Sequence, residues 1–178
     1  MPLVFLDESG FLLVPTVRKT WAPRGKTPIL RVAGGWTKIS SISAISVSPK
    51  RKRVGFYIRF HVSKNIRHPQ VNAFLRHLLK YLKRGFVLVW DRGATHKAGA
   101  VQRFIKADGR IHAYHFPGYA PELNADEYAW NHMKRSVANG VPKDIYDLRH
   151  YLYQSAQRLK RSKRLLLSCV RATKLPWG

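Results

Sequence analysis

Acidic residues are scarce in this sequence: nine Asp and Glu stand against 33 Lys and Arg. Cysteine is scarcer, because Cys169 is alone, which excludes an intramolecular disulfide and any cysteine-rich zinc site. No stretch approaches the roughly 20 uninterrupted apolar residues of a membrane-spanning helix. The start, MPLVFLDESG, has no basic leader and its apolar run is cut by two acids, so it does not read as a signal peptide. These absences lead to the expectation of a reducing cytoplasm. A phosphate-cradling glycine loop is also missing, and Ser9 lacks the context of a nucleophile elbow. The eight histidines show no metal-ligand spacing; His112 and His115 fall on an expected strand and the others are scattered.

What remains is a strongly basic chain with a core. The formal charge of +24 and a pI of about 10.9 predict attraction to a polyanion, with nucleic acid foremost. A membrane surface fits less well, because the basic residues are spread along the chain instead of lining one amphipathic helix. At 178 residues and 45% hydrophobic content, one domain covering residues 1–178 is expected.

Hydrophobic periodicity orders the elements. PLVFLD reads as a buried strand ending at Asp7, followed by an irregular basic loop, RKTWAPRGKTP, from Arg18 to Pro28. Strands are expected at Lys38 to Ser48 and Arg53 to Val62, with PKRKR between them as a hairpin tip that is either a solvated turn or a phosphate contact. Val71, Phe74, Leu75, Leu78, Leu79 and Leu82 repeat at helical spacing, with Gly85 as the stop. FVLVWD is a second apolar run closing on an acid, Asp91, and suits a central strand covered on both faces. A helix from about Lys97 to Ala107, a strand from Ile111, a helix beginning at Asn124 and a long basic helical region from about Asp144 to Arg171 complete the chain. The order, roughly β-β-β-α-β-α-β-α-α, implies an α/β fold: a mixed sheet with helices on its faces.

Six of the nine acids fall in three segments, LDES, VWDRG and PELNADEYAW; the others are Asp108, Asp144 and Asp147. Two of those segments are expected strand ends and the third a helix start, the places from which such a sheet presents side chains into a common crevice. Carboxylates converging to about 4 Å would repel by roughly 4 kcal/mol per pair at an effective dielectric near 20. Such a cluster requires a cation or raised pKa values. Magnesium or manganese, which take oxygen ligands and keep positions open for phosphate oxygens, would suit it. Two such ions could activate water on one side of a phosphodiester and stabilise the departing 3′ oxygen on the other. Each acid also has a plainer reading. Asp7 could open a turn into Ser9-Gly10, and Asp91 could make an Asx-turn before RGATH. Glu127, three residues after Asn124, could close a capping box on its own helix.

In these segments the sequence resembles the catalytic domain of DDE-type transposases, in the bacterial insertion-sequence branch related to mariner elements. FLDESGF, RKTWAPRGKTP, VWDRGATHKA and PGYAPELNADEYAWNHMK match in order, from about Phe5 to Lys134. The resemblance implies a ribonuclease-H-like fold in which Asp7, Asp91 and Glu127 are the catalytic, metal-holding residues for two Mg2+ or Mn2+ ions. Glu8 belongs to the motif but is assigned no metal. Glu122 and Asp126 compete for the third position, and Glu127 is preferred because it aligns with the Glu that precedes the xxW of the family. Trp130 then reads as core packing. Two departures stand out: Arg92 and Ala125 occupy positions where the family commonly has Asn and Pro. Arg92 would put a cation beside the metals, weakening their binding or holding a scissile phosphate.

The function so implied is metal-dependent cleavage and strand transfer on double-stranded DNA, at transposon ends and at a target, in the bacterial nucleoid. Arg18, Lys19, Arg24 and Lys26 are candidate DNA contacts alongside Arg92, with a solvated or subunit-contacting loop as the alternative; Arg158 to Arg164 is a weaker candidate. Family members usually carry N-terminal helix-turn-helix modules, so a separately encoded recognition subunit, and a homodimer, are expected partners. Two rivals remain: a catalytically inactive remnant that only binds DNA, and a nuclease of the same fold directed at RNA:DNA hybrids.

Overall fold

A computed structural model describes residues 1–13, 21–26, 29, 37–138 and 142–177. Five strands form one mixed sheet in the order β3-β2-β1-β4-β5, with β1 at Leu3–Leu12, β2 at Lys38–Val47, β3 at Val54–Val62, β4 at Phe86–Trp90 and β5 at Ile111–His115. β1, β2 and β3 pair antiparallel, whereas β1 with β4 and β4 with β5 are parallel. The helices are α1 (His68–Tyr81), α2 (Ala94–Lys97), α3 (Gly99–Asp108), α4 (Ala125–Val137), α5 (Ile145–Arg161) and α6 (Lys163–Arg171).

Alternation along the strands divides the core into two layers. Val4, Leu6, Leu88 and Trp90 face a layer built with Val71, Phe74, Leu75 and Leu78 of α1 and Val101 and Ile105 of α3. Phe5, Phe11 and Ile45 face the other, built with Ala129, Trp130 and Met133 of α4, Leu152 of α5 and Leu166 of α6. Because both faces are covered, β2 is buried from Ile39 to Val47, serines included. Trp130 does pack in the core, with its ring edge-on to Phe11.

Several boundaries differ from the sequence reading, for identifiable reasons. β1 does not end at Asp7 but continues to Leu12, because β2 pairs with it throughout. Its other edge pairs with β4 only from Leu3 to Phe5, so Asp7 lies just beyond the point where the parallel strands part. The helix expected from about Lys97 to Ala107 is α3, and the short α2, which was not expected, precedes it with Ala98 between them in non-helical backbone. The long basic helical region breaks at Ser162, whose side chain caps α6 by accepting from the Leu165 amide. The PKRKR tip is an exposed turn in which Arg51 has a φ of 53°.

Candidate active site

Side-chain parity places the acids. Asp7 shares the face of Phe5, towards α4, while the next residue, Glu8, points to the opposite face with Leu6, towards α2. Asp91 follows the last residue of the neighbouring strand β4. Glu127 lies in the first turn of α4, which packs on the Asp7 face.

Asp7 is partly buried, and its carboxyl is pushed up to about 8. Burial is the largest cause, followed by the charges of Glu127 and Glu8; a backbone hydrogen bond from Glu8 opposes them and Asp91 adds further repulsion. Behind it, Asp126 is fully buried on the core stripe of α4 and accepts a 2.7 Å hydrogen bond from Ser43, the residue directly opposite Asp7 on β2. Burial raises the Asp126 carboxyl well above the usual carboxylate range, the Ser43 hydrogen bond lowers it, and Asp7 and Glu127 raise it further.

Asp91 has a different setting. Its carboxylate is exposed, and Oδ1 accepts from the Gly93 amide at 2.8 Å and lies 2.6 Å from Nδ1 of His96. The other ring nitrogen of His96 lies 2.9 and 3.0 Å from the two oxygens of Glu8. The imidazole is buried, stacked on Trp90 with centroids 4.3 Å apart. Burial pulls the His96 pKa down, but the Glu8 hydrogen bond and the charges of Glu8 and Asp91 prevail and raise it.

The capping-box reading of Glu127 does not hold. Asn124 caps α4 by accepting from the Asp126 amide, while its own amide donates to the Pro121 carbonyl, which leaves no backbone donor there for the Glu127 carboxylate. Asp7, Asp91, Arg92 and Glu127 line one cavity of about 440 Å3, whose rim includes Tyr119 and Asn124; Glu122 and Asp126 do not line it. The cavity fits a divalent cation in its donor chemistry, since three carboxylates line it and the charges of Glu127 and Asp91 add to burial in raising Asp7. The side chains themselves stand apart: among the described residues, no three His, Cys, Asp or Glu are already close enough to hold an ion.

Residues 2–149 match the family of DDE superfamily endonucleases. The chain belongs to this family. It is 24% identical over 147 residues to the Tcb1 transposable-element transposase of Caenorhabditis briggsae, an alignment covering 75% of this chain and 51% of the relative. Among solved structures, it resembles the Mos1 mariner paired-end complex with Mg at a TM-score of 0.69 and 14% identity, over 96% of this chain and 52% of the other. It also resembles the isolated catalytic domain of Mos1 transposase, at a TM-score of 0.53 and 13% identity, over 96% and 81%. The chain thus spans about half the length of the curated relative it matches, and the fold is ribonuclease-H-like.

Within this DDE-family fold, the candidate acids meet at one crevice, and Arg92 joins them as an exposed residue of its wall. Arg24 and Lys26 are exposed, whereas Arg18 and Lys19 lie outside the described residues. Sequence reasoning missed His96, because a histidine five residues after Asp91 has no ligand spacing and reveals nothing until the end of β4 turns it back between Glu8 and Asp91. It also missed Tyr119, fully exposed at the crevice rim with a φ of 54°, a left-handed conformation uncommon for a bulky residue. Its place between Gly118 and Ala120 in the GYAPEL loop was the available signal.

Proposed function

We propose that this chain is the catalytic part of a transposase that cleaves double-stranded DNA at the ends of an insertion sequence and joins them to a target. The observation that carries this reading is the set of carboxylates lining one crevice, with Asp7 pushed to about 8 by burial and by the neighbouring acids, in a chain of formal charge +24. Asp7, Asp91 and Glu127 are the residues that would hold a pair of Mg2+ or Mn2+ ions. Bound there, the ions would activate water, or a 3′ hydroxyl, for attack on a phosphodiester and stabilise the departing oxygen.

The chain's own residues supply the rest. Arg92 on the crevice wall meets the scissile phosphate, and the exposed Arg24 and Lys26 hold flanking phosphates without reading sequence. The Tyr119 ring at the rim offers a stacking surface beside the reacting strand. Among the described residues, no helix is long and apolar enough to cross a membrane. We assign the chain to the nucleoid on its charge alone, and its working form to a homodimer that handles two DNA ends.

Nicking of supercoiled plasmid with Mn2+ or Mg2+ tests the reading. Metal-dependent nicking by the wild type, lost in Asp7→Ala and Asp91→Ala while DNA binding persists, is the expected result. Binding without nicking, when end-recognition is supplied, would favour the inactive remnant. Preferential cleavage of an RNA:DNA hybrid would replace the substrate.

A further inference from the structure

The Glu8–His96–Asp91 chain crosses the end of β4 from one face of the sheet to the other. Glu8 belongs to the α1/α3 face and Asp91 to the crevice, and only the imidazole joins them. His96 cannot turn away, because its ring is stacked on Trp90 and its side chain is 2% exposed. The backbone of Asp91 is held as well, its carbonyl meeting Nδ1 of His115 at 2.9 Å and Nδ1 of His96 at 3.3 Å.

Gly93 completes the arrangement. A Cβ there would stand 2.9 Å from Oδ1 of Asp91 and 3.5 Å from Nδ1 of His96, so any side chain would displace the carboxylate. The backbone at Gly93 does not itself demand glycine, since its φ is −53°. Close approach of the Asp91 carboxylate is therefore the reason for a glycine at this position. Both contacts fall on Oδ1; among the described residues Oδ2 accepts no hydrogen bond.

We propose that His96 and Glu8 are positioning residues: the Glu8-anchored imidazole, with the Gly93 amide, fixes Asp91 through Oδ1 and leaves Oδ2 as its donor to a divalent cation. This rests on the proposed function. It goes beyond that reading by assigning residues that touch neither metal nor DNA a control over metal affinity. Hydrogen-bond partners behind a ligating carboxylate typically change metal affinity about 10- to 100-fold when removed.

The test is Mn2+ binding to the whole chain with duplex DNA present, read by electron paramagnetic resonance, beside the Mn2+ concentration that half-saturates nicking. His96→Gln and Gly93→Ala are expected to weaken Mn2+ binding by roughly 10- to 100-fold, to shift half-saturation equally, and to recover turnover at high Mn2+. Glu8→Gln keeps an acceptor and shifts both less. Should His96→Gln fail to fold, Gly93→Ala carries the test, since its methyl lies outside the core. Lowered melting temperature with wild-type Mn2+ affinity in folded variants would make His96 merely structural and overturn the inference, while the proposed function stands if Asp91→Ala abolishes binding. A wild type that binds no Mn2+ would overturn both.

Discussion

The two sides around the crevice handle negative charge in opposite ways. On the α4 side, Asp7 and Glu127 line the crevice with Asp126 buried behind them, and among the described residues no basic side chain is within ion-pair distance of any of the three. On the α2 side, Glu8 and Asp91 are separated by an imidazole that touches both. On the α4 side Asp7 is pushed up to about 8 and the buried Asp126 is raised well above the usual carboxylate range, whereas on the α2 side it is His96 that is raised. A chain of formal charge +24 has cations in abundance, yet none among the described residues pairs with an acid of the α4 side. That is what a donor set for an added cation needs, and the α2 side is what a rigid support for one of its members needs.

Neutralising one acid on each side should separate the halves most sharply. Asp7→Asn and Asp91→Asn should each reduce metal-dependent nicking by roughly a thousandfold or more, as removal of members of one catalytic unit does. Their effects on metal-free stability should have opposite sign. At pH 8, Asp7→Asn relieves a charge that the fold disfavours and should raise the melting temperature. Asp91→Asn removes the charge that faces His96 and Gly93 and should lower stability by about 1 kcal/mol. Thermal unfolding of both variants at pH 8 without metal checks this, and the same sign in both would dissolve the contrast.

The pH dependence follows from Asp7. Its folded value of about 8 lies above the ordinary Asp value of 3.8, so between these limits the folded state retains a proton that the unfolded state has released. Its contribution to stability is complete below about pH 4 and is lost as pH rises through about 8. Divalent metal should reverse that loss, since it binds the deprotonated carboxylates. The rise in melting temperature on adding Mn2+ should thus be larger at pH 8 than at pH 5, and saturation at a hundred times the dissociation constant would contribute about 2.7 kcal/mol. Equal rises at both pH values, or none, would place the cation elsewhere.

These contrasts show which parts of the site could be read before the structure. That Asp7, Asp91 and Glu127 line one crevice was legible in part, because strand ends and a helix start converge in a sheet of this order, but the choice of these three among the acids came from the family resemblance. The distribution of Asp7 and Glu8 to opposite faces follows from strand alternation once β1 is known to continue past them. The strand was ended too early because an acid pair looks like a boundary, whereas β2 and the helices cover both faces and hold β1 extended to Leu12. The α2–α3 break and the role of His96 could not be read, since both depend on the path after Gly93. The burial of Asp126 was equally hidden, because its helical spacing with Trp130 and Met133 looks like a core stripe with one wrong residue.

Asp126 tests whether that residue is indeed only inside the stripe. Asp126→Asn keeps an oxygen for the Ser43 hydroxyl and replaces a carboxyl that burial already holds towards its neutral form. It should leave nicking nearly unchanged, leave Asp7 raised by burial and by Glu127, and change metal-free stability by about 1 kcal/mol or less. A loss of nicking comparable to that of Asp7→Asn would make Asp126, in place of Glu127, the third member of the set.

The smallest effects belong to the cations outside both halves. Arg92 lines the crevice, whereas Arg24 and Lys26 are exposed in the segment after β1. If each meets one phosphate, its replacement by Ala should reduce the slope of log binding constant against log salt by about 1 and weaken binding evenly across sequences. Arg92→Ala should differ in one respect. If its place beside Asp91 sets it on the reacting phosphate, its loss should lower nicking by more than it lowers binding, whereas Arg24→Ala and Lys26→Ala should lower both in proportion. Unchanged salt slopes for the latter two would return them to a solvated loop. Faster nicking by Arg92→Ala would mean that its charge opposes metal binding at the neighbouring Asp91 instead of holding the phosphate.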